Sequence, residues 1–545
     1  MISVAKGANE NPFPVSITVD ASQSLGQLPP MWRFFGCDEP NYTYMKDGRR
    51  LLGELGALRP DQVFFRTHNL LTSGDGTPAP KWGSTNAYTE GSDGRAIYEW
   101  TIVDRIFDTA LARHVHPYVE IGFMPEALST HPAPYQHEWR AGLDNPLFTG
   151  WAYPPKDYAK WGELVYQWAR HCVDRYGAAE VSRWYWETWN EPNIPYWKGT
   201  PEEFLKLHDY AIAAVRRALP SAKVGGPDFA GNGGPLMRAF IEHCLRGPNL
   251  ATGGKGTPID FISFHAKGSP VYVDGHVRMG IANQLRTIDE GFAIIREFPE
   301  LKSTPIILGE SDPEGCAACQ GGAYTYRSGT VYSSYTAASF AREYDLAARR
   351  GVNLEGVLTW AFEFEDKPYF AGQRVLSSNG LPLPVLNVFR MFARLGPERV
   401  MAQSTAAIPL DEILHHGIRG AADVGVLASR DAHRLSILVW HYHDDDVPGS
   451  AAATEIQLAG LPAELTTARV VHYRVDETHS NAFARWKEFG SPVAPSQAQY
   501  DELKRASELT TIADTPTILP VESGRALLHF ILPRQAVSLL VLDWD

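Results

Sequence analysis

Between about residues 31 and 362 the chain repeats one unit: a short apolar or β-branched stretch followed by a segment with helical periodicity. The apolar stretches fall at 32–35, 63–66, 117–122, 184–190, 223–226, 260–265, 305–310 and 356–362. Segments 157–170, 201–219 and 336–350 carry apolar residues at three- and four-residue spacing, as amphipathic helices do. Alternation of this kind, over somewhat more than the ~250 residues typical of the fold, predicts an α/β protein built on a (β/α)8 TIM barrel with long rim loops.

After Gly396 the texture changes. Segments 435–442, 468–475, 526–533 and 536–543 read as strands separated by turns, with no long helical pattern between them, which predicts a β-sandwich. An extended segment at 14–20 precedes the barrel and is placed to pair with that sheet. The expected organisation is therefore an N-terminal extended segment (1–25), a catalytic barrel (26–395) and an accessory β-sandwich (396–545).

Composition removes several classes of function. A formal net charge of −13 over 545 residues, with no dense Lys/Arg run, argues against nucleic acid as a partner. No apolar run approaches the ~20 residues that span a bilayer, and the first residues contain no apolar signal region. With five Cys there is no disulfide framework, so the expectation is a cytoplasmic, mostly reduced protein without a membrane partner. An oligomer is compatible with the sequence. Cys316-Ala-Ala-Cys319 reads as a local disulfide or as two inert thiols rather than as a metal site. Likewise His441-Tyr-His-Asp-Asp-Asp446 reads as a solvated acidic turn. No P-loop or Rossmann glycine pattern occurs, so the expectation is no metal and no cofactor.

Two carboxyls sit where such a barrel does its chemistry, at the carboxyl ends of strands. Glu191 follows the fourth apolar stretch within Asn190-Glu191-Pro192, and Glu310 ends the seventh. Three strand steps of eight put them ~135° apart around the barrel, facing each other across its mouth. A protonated acid and an ionised carboxylate so arranged suit glycoside hydrolysis, by retention if the gap is about 5 Å and by inversion at ~6.5–9.5 Å. Trp184, Trp186 and Trp189 supply an apolar wall that would raise the Glu191 pKa, making it the acid/base and Glu310 the nucleophile. Glu314, further along the loop, is the rival nucleophile. A glutamate at a strand end also serves as a salt-bridge partner or helix cap, so either residue alone proves little.

The Asn190-Glu191-Pro192 motif resembles the acid/base motif of the retaining barrel glycosidases. Arg66-Thr-His-Asn-Leu-Leu71, the run 120–128, Phe261-Ile-Ser-Phe-His-Ala-Lys-Gly268 and Thr304-Pro-Ile-Ile-Leu-Gly-Glu310 are together similar to glycoside hydrolase family 39, the β-xylosidases and α-L-iduronidases. In the second domain the run 473–483, then Trp486 and Gly490-Ser-Pro492, resembles the β-xylosidase branch. The resemblance implies that Asn190 binds the substrate 2-hydroxyl, that His68 and His265 line the terminal-sugar subsite, that Trp360 floors it and that Glu365 binds hydroxyls. Against each stands the plain reading of a satisfied core residue. Lys267 pulls towards the iduronidase branch, since a compact cation suits a uronic carboxylate; otherwise it is a loop lysine facing water.

The expected function is a retaining exo-β-xylosidase acting on small oligosaccharides. α-L-Arabinosidase or α-L-iduronidase activity is the close alternative. A sugar-binding barrel without catalysis is the alternative from another class, because a fold does not dictate a function.

Overall fold

The computed structural model describes residues 11–140, 142 and 147–544. After a first strand, β1 (Phe13–Gln27), eight strands close into a parallel barrel. They are β2 (Phe34–Cys37), β3 (Val63–Thr67), β4 (Val115–Glu120), β5 (Tyr185–Glu187), β6 (Lys223–Phe229), β7 (Phe261–Lys267), β8 (Pro305–Asp312) and β9 (Asn353–Thr359). Every one overlaps an apolar stretch expected to form it.

The helices start and stop where local chemistry says they should. In α1 (Tyr158–Tyr176) the Asp157 side chain accepts from the Ala159 and Lys160 N–H groups. Helix α2 (Pro201–Ala218) opens on a capping box between Thr200 and Glu203, with Pro201 in its first turn. Helix α3 (Thr330–Arg350) ends on Gly351, whose φ of 62° needs the freedom of glycine.

Side chains alternate along each strand, so residues two apart stack inside the barrel. Phe34, Phe64, Tyr118, Tyr185 and Phe261 form an aromatic layer. Phe34 meets Tyr185 at 5.9 Å and Tyr118 meets Phe261 at 5.8 Å. These pairs come from strands that are not neighbours, so the contacts cross the interior. Two residues further along β3, β4 and β5 come Arg66, Glu120 and Glu187, all buried.

Two irregularities tune what points inward. The β7–β8 register slips between Leu308 and Glu310, which brings Glu310 opposite His265. The β6–β7 register slips between Pro227 and Phe229, where Asp228 takes a φ of 55°. The two meet: a Cβ on Gly309 would lie 1.9 Å from Asp228 Oδ1, so no larger residue fits there.

In the second domain β10 (Glu398–Ser404), β11 (Asp423–Asp431), β12 (Arg434–Tyr442), β13 (Ala452–Ala459), β14 (Thr467–Val475), β15 (Ala526–Leu532) and β16 (Val537–Asp543) join one continuous sheet. Strand β1 joins it, antiparallel to β10 and parallel to β13, and the short strands Thr510–Thr511 and Ile518–Pro520 pair with β14. The sheet wraps one apolar core that includes Ile17, Val439, Ile456 and Phe530.

Two expectations are corrected. A helix, α4 (Gln497–Ser507), does interrupt the strands; its first turn carries a Ser496/Gln499 capping box. The 441–446 segment is not a solvated turn, for His441, His443 and Asp444 are buried. It ties the domains together: Asp445 pairs with Arg278 at 2.5 Å, and the Asp444 carbonyl accepts from Met279 at 2.7 Å. Of the two readings given for Cys316 and Cys319 the local disulfide is the one formed, while Cys37, Cys172 and Cys244 are buried thiols, as a mostly reduced chain implies. Among the described residues no helix is long and apolar enough to cross a membrane.

Candidate active site

Above the aromatic layer a single guanidinium gathers the acids. Arg66, fully buried, lies 3.0 Å from Glu120, 2.6 Å from Asp228 and 3.5 Å from Glu310, and also pairs with Glu187. It donates as well to Asn190 Oδ1 at 3.0 Å. With its oxygen taken, the Asn190 amide keeps its NH2 as the donor for a ligand.

His265 joins the two expected catalytic carboxyls. Its Nδ1 is 2.9 Å from Glu191 Oε1 and 3.8 Å from Glu310 Oε1. The two oxygens are therefore no further apart than those distances laid end to end. That upper bound accommodates the separation of about 5 Å used by retaining enzymes. On its other side His265 Nε2 is 3.0 Å from Asp228. Burial opposes charge on the imidazole, but Asp228 and Glu310 outweigh it and lift its pKa to about 10, so it is an imidazolium at neutral pH.

Glu310 is ionised. Burial alone would push its carboxyl up, yet the cations around it, Lys267 first and His265 next, hold it well below the usual range. Lys267 Nζ is 2.6 Å from Glu310 and 2.7 Å from Asp312. It is thus not a loop lysine facing water: its side chain is only 18% exposed.

Glu191 sits beyond the end of β5, in a turn where its φ is 45° and its N–H donates to the Asp228 carbonyl at 2.9 Å. The tryptophan wall expected around it is absent. Trp184 packs on Phe107 and Trp186 on Trp168 of α1, outside the barrel, because they occupy the outward positions of the strand. Trp189 packs on Trp197 and Phe123. The polar neighbour of Glu191 is His265.

His68 lies between Glu120, with which it shares a short hydrogen bond, and Asp38, 3.3 Å away. Burial and then Arg66 push its pKa well down, which keeps it neutral. Its ring packs on Trp360 at 4.4 Å, and Trp360 also lies under Arg66, 5.0 Å from guanidinium carbon to ring centre. Gly36 makes room for that indole, as a Cβ there would be 2.5 Å from it. Glu365 is not brought to the pair; its carboxylate accepts from the N–H of Asp47, at the start of the helix Lys46–Leu58. The rival Glu314 is held by Arg374 at 2.6 Å and Arg327 at 3.1 Å. It anchors a loop.

Sequence reasoning missed Arg66, Asp228, Asp38 and Lys81 as parts of the site. Lys81 donates to Asp38 at 2.5 Å, and with His68, Phe123, Trp151 and Tyr196 these two line a small recess beside the carboxyls. Arg66 had a signal: a charge at an inward position of an otherwise apolar strand must be paired. Lys81 had none, because it comes from a loop. Among the described residues no cluster of three or more His, Cys, Asp or Glu is disposed to hold a metal ion.

A parallel barrel with two carboxyls converging at one end of its strands defines a barrel glycosidase. The sequence matches the Glycosyl hydrolases family 39 profile over residues 15–522, and the chain belongs to that family, a retaining one. It is 26% identical to α-L-iduronidase of Mus musculus over 97% of this chain and 80% of that one. It is 25% identical to a β-xylosidase of Caldicellulosiruptor saccharolyticus over 91% of this chain and 92% of that one. The fold is similar to that of a monomeric β-xylosidase from Caulobacter crescentus CB15, with a TM-score of 0.74 at 20% identity over 97% of this chain and 99% of the other.

Proposed function

We propose that the protein releases terminal β-D-xylosyl residues from xylo-oligosaccharides by double displacement. Glu310 attacks the anomeric carbon while Glu191 gives its proton to the leaving oxygen, forming a glycosyl ester on Glu310. Glu191 then takes a proton from water, which attacks the same carbon and frees Glu310. The observation that carries this reading is the one imidazole, His265, within 2.9 Å of Glu191 and 3.8 Å of Glu310. Lys267 and His265 keep the nucleophile ionised in a buried place, and Asn190 is oriented by Arg66 to donate to the 2-hydroxyl.

The choice of sugar turns on Lys267. A β-D-xyloside and an α-L-iduronoside share their configuration from C1 to C4 and differ by a carboxylate on C5. The Lys267 ammonium is already neutralised by Glu310 and Asp312, which supports the uncharged sugar. The iduronidase reading draws on the same lysine, whose third N–H is uncommitted to either carboxylate.

Aryl β-D-xyloside, α-L-arabinoside and α-L-iduronide, given to the wild type and Lys267→Met, test the proposal. The xyloside should have the highest kcat/KM. A faster iduronide, lost selectively by about 10- to 100-fold in Lys267→Met as a charged hydrogen bond would be, makes the enzyme an iduronidase instead. Sugar binding without turnover of any of the three returns the non-catalytic barrel.

A further inference from the structure

The loop that follows β8 carries the Cys316–Cys319 bond, which the proposed reaction does not use. Both cysteines are partly exposed and flanked by exposed Gly315 and Gln320, whereas Ala317 and Ala318 between them are buried. Ala317 packs in the barrel interior with Trp360 and Leu358. Its carbonyl accepts from the Arg374 N–H at 2.8 Å.

Arg374 carries the contact onward. Its Nε donates to the Trp360 carbonyl at 2.9 Å, and its Nη1 donates to Glu314 at 2.6 Å. It also lies 3.5 Å from Asp312, which pairs with Lys267, which pairs with Glu310. The Cys319 carbonyl accepts from Arg327 at 3.0 Å, and Arg327 reaches the same Glu314 oxygen as Arg374, at 3.1 Å. The bridge closes a ring over only two intervening residues. So short a loop removes little entropy from the unfolded chain, and its effect is local rather than a staple for the whole fold.

We propose that Cys316–Cys319 is a reversible redox site, reached by dithiol reductants, that sets the activity of the neighbouring carboxylate pair. This rests on the reading of Glu310 and Trp360 as site residues. Oxidised, the bridge holds Ala317 against Trp360 and keeps Arg374 seated on Glu314 and Asp312. For reduction, one thiolate of the dithiol attacks a bridge sulfur, the S–S bond breaks and the departing cysteine takes a proton. The second thiolate of the reductant then attacks the reductant's own sulfur in the mixed disulfide. The other cysteine leaves as a thiol and the reductant as a cyclic disulfide, so two electrons and two protons pass to the protein.

The test reduces the native protein with excess dithiothreitol and confirms by alkylation and mass that Cys316 and Cys319 alone have opened. Amide exchange and turnover are then followed. Exchange should rise at 314–322 and 371–376, and kcat/KM should fall about tenfold, as small misplacements of reacting groups do. Both should recover on reoxidation. A Cys316→Ser/Cys319→Ser variant should behave like the reduced protein and ignore dithiothreitol. A bond that resists the reductant, turnover that does not change on opening, or a double variant that still responds would each overturn the proposal. Exchange is read without substrate, so absence of any glycoside turnover would sink the function reading alone. Unchanged exchange at 371–376 would then sink the redox site independently.

Discussion

Inside the barrel, the aromatic layer of Phe34, Phe64, Tyr118, Tyr185 and Phe261 and the charged layer of Arg66, Glu120, Glu187, Asp228 and Glu310 are almost equally buried. On β3, β4 and β5 they stand two residues apart. The lower layer is rings on rings, such as Phe34 on Phe64 at 5.0 Å. The upper one buries ionisable groups, which the fold tolerates because each has a partner. Depth does not separate stability from chemistry here; position along the strand does. Within the upper layer, environment also sorts the acids. Burial pushes Glu187 up to about 8 despite Arg66, while the cations around Glu310 outweigh burial and hold it low.

Removing the charge expected to react should have the largest effect. Glu310→Ala should lower kcat on the order of 10⁴-fold or more while the protein stays folded. Azide should restore part of the activity and yield a glycosyl azide of inverted configuration; a variant at wild-type rate would move the nucleophile elsewhere. For Glu191→Ala the loss should be about 10²–10⁴-fold on substrates with poor leaving groups and much less on dinitrophenyl glycosides. Equal losses on both kinds would deny Glu191 the acid role.

Replacing the hub sharpens the contrast between layers. Arg66→Met leaves buried acids without their cation and should cost about 3–5 kcal/mol in urea unfolding, together with most of the activity. Phe64→Ala should cost a similar ~3–5 kcal/mol, yet keep kcat at temperatures where it remains folded. If Phe64→Ala lost turnover as Arg66→Met does, the layers would not be functionally distinct.

A last effect is one of pH. His265 has its pKa raised from 6.5 to about 10 in the folded state, so it binds a proton more tightly folded than unfolded. Its contribution to stability is fully present below pH 6.5 and is lost as pH rises through 10. The gap in urea midpoint between wild type and His265→Asn should therefore narrow steadily across that window. A constant gap would mean that the imidazole is not charged in the fold.

Much of this was legible in the sequence, for reasons that particular residues make plain. The eight strands announced themselves because a strand buried on both faces must be apolar along its length. Glu191 and Glu310 stood out because each follows such a stretch. The misplaced tryptophans came from ignoring the two-residue alternation that sends Trp184 and Trp186 outward and Tyr185 and Glu187 inward. Helix α4 escaped notice because only Leu503 and Ser507 of its face are buried, leaving little apolar period to read. Glu365, Lys81 and the 441–446 segment owe their positions to contacts between segments far apart in sequence, which spacing does not encode.

The stereochemical course of hydrolysis tests the central claim most directly: that Glu191 and Glu310 converge on one anomeric carbon from opposite sides. Proton NMR of the first product formed from an aryl β-D-xyloside, or from whichever glycoside the enzyme prefers, reads it before mutarotation intervenes. Two carboxyls held to a common imidazole predict that the sugar first appears with its anomeric configuration retained. First appearance of the opposite anomer would mean a water-wide gap between them and would contradict the account.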